Sequence, residues 1–394
     1  MKFFSTLLII ILLIHFSVAQ ERTIYKINCS QISTTQIDNT VNSLMSVANV
    51  TGLSLAILND NVTVYQQSYG LANVESMEPM SSSTVLYGAS FSKAVFAYLS
   101  LLLVQDGQLD LDRPLYRYLK NDLPKYKAYE DLADDDRWKI ITPRMCLSHT
   151  TGFQNWRFLN ARSGEFDRNG KLAIHFTPGT KYAYSGEGIA LLQMVIEEIT
   201  GKGLEELARE RIFQPLGMKN SSYSWQQRFE ENYALGYDET EKPLGKKKRK
   251  SAGAAGSLET TLEDYTKFIA HMMQGSTLDS KLYEEMISPQ IRIHSKHQFP
   301  TISDETTSGY KDIDLAYGLG WGLLNTEQGK AFFKEGHDDG WEHYNINFVD
   351  KGVSIILMTN SSNGESIFKH LLEKIIGDTY TPWEWERYVP YDQL

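Results

Sequence analysis

The amino-acid sequence predicts an α+β fold: a central antiparallel sheet flanked by helices, with a mostly helical lobe inserted between the halves of the sheet. Three observations predict it. Strand-like segments lie toward both ends of the chain, at residues 52–58 and 62–69 and again at 317–324, 331–334, 343–349 and 353–359; each is short and rich in β-branched or aromatic residues. Between them, from 109 to about 250, helical patterns alternate with long polar loops. The run from Ala94 to Val104 is apolar on every side, the pattern of a helix buried between layers.

Each element has a local reason. Lys2, an apolar stretch from Leu7 to Ile14 and the small residues of Ser17-Val18-Ala19 have the form of a secretory signal peptide, cleaved after Ala19. Residues 31–47 place Ile37, Val41, Leu44 and Met45 on one helical face. Asn59-Asp60-Asn61 is turn chemistry that folds 52–58 onto 62–69 as a hairpin. A helix over 186–200 ends at Gly201. A last helix, 366–376, precedes a tail with Trp383, Trp385, Tyr388 and Tyr391, expected to cover part of the sheet. The domain reading is therefore a signal peptide (1–19), one domain (20–380) and an aromatic tail (381–394). Within the domain, a sheet lobe takes 31–90 and 251–380, and a helical lobe takes 91–250.

A formal charge of −10 argues against general nucleic-acid binding. The basic run Lys246–Lys250 reads as a solvated loop. After the first residues no segment is long enough to span a bilayer, so the mature chain is expected in the periplasm or secreted, with no stable membrane span. Two cysteines, Cys29 and Cys146, are too few for a disulfide framework; Cys146 reads as a small buried residue. The nine histidines show no ligand spacing, so no metal and no other cofactor is expected.

The chemistry begins at Gly88-Ala89-Ser90-Phe91-Ser92-Lys93. On a helix, Ser90 and Lys93 lie one turn apart on one face. A serine hydroxyl is a weak nucleophile until a base takes its proton, and a lysine amine can be that base once its pKa falls. Ser-x-x-Lys is the spacing of serine penicillin-binding proteins and β-lactamases. Gly88-x-Ser90 also approaches a Gly-x-Ser-x-Gly nucleophile elbow, but the last glycine and the parallel βα repeats are absent.

Further blocks follow in order: Gln105-Asp106-Gly107-Gln108-Leu109-Asp110; Leu147-Ser148-His149-Thr150-Thr151-Gly152; Pro178-Gly179-Thr180 with Tyr184-Ser185-Gly186; Ala254-Ala255-Gly256-Ser257; and Gly336-His337-Asp338-Asp339-Gly340. Together, from Val50 to Asn360, they resemble the class C β-lactamases and the related penicillin-binding-protein-like serine hydrolases. The resemblance implies a β-lactamase/transpeptidase-like fold. It implies Ser90 as the acylated nucleophile, Lys93 as the group that holds its proton, and Tyr184 as general base and proton donor. It also implies an oxyanion hole made by the backbone N–H groups of Ser90 and Gly340. A tyrosine beside a lysine ammonium is expected to ionise more easily. His149 is structural in such proteins.

Two departures bear on specificity. The asparagine of the family's Tyr-x-Asn motif is Gly186, which removes a carboxamide near the acyl group. The third motif, commonly Lys-Thr-Gly or His-Thr-Gly, reads His337-Asp338-Asp339. His337, Asp338 and Gly186 are thus the expected substrate-binding positions, and acidic residues there would repel a β-lactam carboxylate. The expected protein is an exported serine hydrolase acting through an acyl-enzyme on an ester, a D-amino-acid peptide or a β-lactam. Esterase or D-peptidase activity fits better than a dedicated β-lactamase. The alternative is a non-hydrolysing penicillin-binding or peptidoglycan-sensing protein. Small molecules or peptides are the expected partners, and the sequence leaves the oligomeric state open.

Overall fold

The computed structural model describes residues 23–393. The segment read as a signal peptide lies outside these residues. A short ribbon of β1 (Thr23–Tyr25) and β2 (Gln31–Ser33) leads into α1 (Thr34–Ala48). Ser33 and Gln36 cap that helix reciprocally, and its buried residues are Ile37, Val41, Leu44 and Met45. β3 (Gly52–Asn59) and β4 (Val62–Asn73) form the expected hairpin. Both of its turn residues, Asp60 and Asn61, have positive φ, as a tight hairpin turn requires.

β5 (Glu78–Pro79) and β6 (Leu86–Tyr87) precede α2 (Phe91–Gln105). The middle of the chain carries α3 (Pro143–Leu147), α4 (Gly186–Thr200) and α5 (Leu204–Ala208), joined by turns and short 3-10 segments. Gly201 ends α4 with φ 67°, a left-handed cap that glycine adopts without strain. β7 (Glu259–Thr260) pairs with β6, and α6 (Leu262–Met273) and α7 (Ser280–Met286) follow. The chain then supplies β8 (Ile291–Arg292), β9 (Ala316–Tyr317), β10 (Gly322–Thr326), β11 (Gly329–Asp338), β12 (Trp341–Phe348) and β13 (Val353–Thr359). It closes with α8 (Phe368–Ile375) and α9 (Trp383–Glu386).

One antiparallel sheet holds nine of these strands in the order β5-β4-β3-β13-β12-β11-β10-β9-β8. The termini meet where β13 pairs with β3, from Ser354↔Leu58 to Thr359↔Leu53. The sheet is thus built from both ends of the chain, as its strand pattern predicts. Its faces alternate residue by residue. Leu53, Leu55 and Ile57 pack with α1, α8 and the C-terminal tryptophans, whereas Ala56, Leu58, Ile356 and Met358 pack with α2 and α6. β3, β12 and β13 are buried on both faces. α2 is buried from Phe91 to Leu103, as its all-round apolar pattern requires.

The segment expected as one strand over 317–324 is two strands. The chain doubles back between them, with Gly318 N–H donating to the Trp321 carbonyl at 2.8 Å. Gly320 there has φ 89°, and a Cβ on it would stand 2.2 Å from that of Ala97. Only glycine lets α2 approach so closely. The basic run is solvated only in part. Lys247, Lys248 and Lys250 are exposed, as expected, but the Lys246 side chain is buried, pairs with Glu259 at 2.7 Å, and lies over the rings of Trp225 and Trp341. Both cysteines are free, Cys29 exposed and Cys146 buried. Among the described residues no helix is long and apolar enough to cross a membrane.

Candidate active site

Ser90 sits where β6 turns into α2. Gly88 N–H donates to the Leu258 carbonyl at 2.7 Å, tying the turn to the strand β7 segment. Ala89 takes φ 43°, a strained conformation for a residue with a Cβ. Ser92 holds the turn from below: its hydroxyl donates to the Ala89 carbonyl and accepts from Leu258 N–H. Ser90 stands at the N-cap of α2, yet its hydroxyl makes no capping bond. Lys93 Nζ donates to Ser90 Oγ at 2.9 Å and to the Ala255 carbonyl at 2.6 Å. Lys93 is 2% exposed. Burial drives its pKa well below the ordinary lysine value, and the Lys334 charge pushes it further down against the pull of Glu335.

Tyr184 is held on the loop that enters α4. Ala183 N–H donates to the His149 carbonyl, Ser185 N–H donates to His149 Nδ1 at 3.1 Å, and the His149 and Tyr184 rings lie 4.3 Å apart. His149 is thus a packing and positioning residue. Both Lys93 and Lys334 ammonium groups lie close to the Tyr184 ring, at 4.8 and 4.9 Å. The expectation of an easily ionised tyrosine is reversed. Burial, and then the Glu335 charge, raise the Tyr184 pKa well above its ordinary value. The phenol stays protonated, and Lys93 is the group poised to be neutral.

The third motif also moves. Lys334 is fully buried on β11, and its Nζ donates to Tyr184 Oη at 3.1 Å and to Glu335 Oε1 at 2.8 Å. Gly336 is so close to the nucleophile turn that a Cβ on it would lie 3.0 Å from the Gly88 carbonyl. Lys334-Glu335-Gly336 therefore occupies the place beside Ser90 expected of Lys-Thr-Gly, three residues before the segment read as that motif. Gly340 lies in the β11–β12 turn with φ 79°, and its N–H is taken by Ser362 Oγ at 2.8 Å. It is not free to serve an oxyanion.

Of the expected specificity positions, His337 and Asp338 line a cavity of about 1060 Å³ that also holds Ser90, Lys93, Tyr184 and Glu335, whereas Gly186 packs against Trp156, which lines it. A Cβ at Gly186 would meet the Trp156 indole at 2.7 Å, so the indole fills the space of the missing side chain. A carboxamide stands there nonetheless: Asn155 Oδ1 accepts Gly186 N–H at 3.0 Å. The sequence could not show this, because Asn155 comes from a different loop. Trp156 stacks on Phe158 at 5.8 Å, and Phe299 packs edge-on to Tyr184, giving this wall an aromatic face. Asp338 is not a free anion; Lys247 and Arg249 lie 3.5 and 3.6 Å from it. His337 Nδ1 lies 2.8 Å from Glu342 and 3.6 Å from Glu365. Desolvation opposes a charge on the ring, but the two glutamates outweigh it and raise the His337 pKa to about 11.

Residues 37–376 match the sequence model of the Beta-lactamase family. The chain belongs to the β-lactamase family. A β-lactamase from Pseudomonas fluorescens is 26% identical over 72% of this chain and 73% of its own. A D-aminopeptidase from Brucella anthropi is 31% identical over a shorter region, 43% of this chain and 32% of its own. Among solved structures, the octameric penicillin-binding protein homologue from Pyrococcus abyssi superposes with a TM-score of 0.70 at 19% identity, covering 89% of this chain and 79% of that one. This β-lactamase-family chain thus shares the β-lactamase/transpeptidase fold, and its relatives are serine hydrolases in the broad sense.

Proposed function

We propose that the chain is a serine hydrolase that cleaves an ester or amide through an acyl-enzyme on Ser90. The observation that carries this reading is the 2.9 Å contact between Ser90 Oγ and a lysine amine depressed by burial. Neutral Lys93 accepts the Ser90 proton as Oγ attacks the carbonyl. Tyr184, kept protonated and backed by the Lys334 ammonium, gives its proton to the leaving group and regains one from Lys93. A water molecule then attacks the ester, with the same groups working in reverse.

Ser90 N–H supplies one oxyanion donor, and the helix dipole of α2 favours negative charge at this end. The second donor is His337 N–H. Asp338 and Trp341 flank the two-residue turn of the hairpin, so strand alternation aims the N–H groups of Asp338 and Gly336 at β12 and that of His337 at the open edge. β10 ends opposite Phe333 and leaves that edge unpaired.

An ester or a small amide suits this site better than a β-lactam, because the residue in place of the carboxylate-binding threonine is Glu335. We also propose export, on the strength of the Lys2 to Ala19 leader; N-terminal sequencing of the mature protein should start at Gln20. For the chemistry, wild-type protein should hydrolyse p-nitrophenyl esters and take a fluorophosphonate on Ser90. Ser90→Ala should lose both. A stable adduct without turnover would instead mark a sensor.

A further inference from the structure

A buried carboxyl group in the cavity wall has no hydrogen-bond partner among the described residues. Glu386 ends α9, beside the buried Trp385. It is 6% exposed, and neither of its carboxylate oxygens has a hydrogen-bond partner among the described residues. It nevertheless lines the same cavity as Ser90 and Tyr184. A buried carboxyl without a partner is costly to keep, and a folded chain that keeps one at a cavity wall has a group ready for a ligand.

The charges around it give the ligand's sign. Glu335 faces the same space, and its Oε1 already accepts from Lys334 at 2.8 Å and from Gln298 at 3.1 Å. Glu365 lies farther along the wall, where it approaches His337. The Tyr182 and Tyr388 hydroxyls are buried, have no hydrogen-bond partner among the described residues, and offer no charge. Arg387 is exposed, and its guanidinium does not reach Glu386. The buried Lys334 ammonium is thus taken by Glu335 and makes no ion pair with Glu386. Burial and the Glu335 charge raise the Glu386 pKa well above its ordinary value, against the pull of Lys334. An arriving cation would lower it again.

We propose that Glu386, with Glu335, forms a subsite for a primary ammonium on the substrate, close to the carbonyl attacked by Ser90. The inference rests on the serine hydrolase reading. It adds the substrate class: esters or amides whose acyl part carries a free amine. Glu335 is joined through Lys334 to Tyr184, so an ammonium held there lies beside the proton relay. The C-terminal tail is then a specificity element as well as a cover on the sheet.

The test compares phenylalanine p-nitroanilide with its N-acetyl counterpart in both enantiomers, and p-nitrophenyl acetate as a substrate with no amine. Wild type should favour the free amine in kcat/KM by about tenfold or more, the range of a charge-assisted hydrogen bond. Glu386→Gln should remove most of that preference, chiefly through KM. Glu384→Gln, exposed on the same short helix, should keep it. Equal turnover of the two anilides by wild type, or a preference that survives Glu386→Gln, overturns the subsite. If Glu386→Gln does not fold, wild type still decides: benzylamine should inhibit p-nitrophenyl acetate hydrolysis at concentrations where benzyl alcohol does not, and equal inhibition overturns the proposal. Absence of both ester turnover and Ser90 labelling would instead sink the hydrolase reading itself.

Discussion

The two walls of the cavity are built in opposite ways. On one side, Ser90 and Lys93 stand a helical turn apart and meet at 2.9 Å, Lys334 meets Tyr184 at 3.1 Å, and Lys93 Nζ lies 4.8 Å from the Tyr184 ring. Burial sets the protonation of this side: it holds Lys93 low and Tyr184 high. On the other side, Asn155 and Trp156 come from a loop, Glu335 from a strand and Glu386 from the tail. These side chains do not form one hydrogen-bonded network, and Glu386 has no hydrogen-bond partner among the described residues. The contrast separates chemistry from selectivity. The reacting groups are fixed by one another, whereas the selective ones are brought together only by the finished fold.

Each wall can be broken separately. The largest effect should come from Lys93→Met, which removes the base and leaves its space filled. Acylation by a p-nitrophenyl ester, followed as a burst, should slow by about 10²–10⁴-fold. An unaltered burst rate would remove Lys93 from the mechanism. Lys334→Met should cost less, about 10–100-fold in kcat/KM, since it acts through Tyr184. Its sharper mark is the pH profile. Acylation needs neutral Lys93, so kcat/KM rises with pH through a pKa below the ordinary lysine range. Removing the Lys334 charge takes away one cause of that depression, and the rising limb should move to higher pH. Glu335→Gln removes the opposing negative charge, and the limb should move to lower pH. On the other wall, Trp156→Ala should raise KM for a phenylacetyl ester by about tenfold relative to an acetyl ester, with little change in kcat. A uniform fall in kcat for both esters would place Trp156 with the reacting groups.

What the sequence made legible follows the same division. The sheet drawn from both termini, the buried helix after Ser90 and the Ser90–Lys93 pair all rest on local spacing, and spacing is what a sequence displays. Gly320 split a predicted strand because of a contact with Ala97, which no local pattern announces. Lys334 was hidden because a lysine within an apolar strand reads as a solvent-facing position. The clue was the Lys-x-Gly spacing at 334–336, beside a His-x-x-Gly that fits the same motif three residues later. Lys246 was misread for a related reason: its partner Glu259 and its two indoles come from elsewhere in the fold. Glu386, within Trp383-Glu384-Trp385-Glu386, alternates with tryptophans and looks solvated until the tail is seen folded onto the cavity.

The central claim is that Ser90 carries the acyl group. Rapid quenching of wild-type protein with a slowly released p-nitrophenyl ester, followed by intact-mass measurement and peptide mapping, tests it directly. The predicted result is a single acyl increment on the peptide containing Ser90, formed at the rate of the burst and absent from Ser90→Ala. Turnover by Ser90→Ala at the wild-type rate, or an acyl group mapped to any other residue, would contradict it.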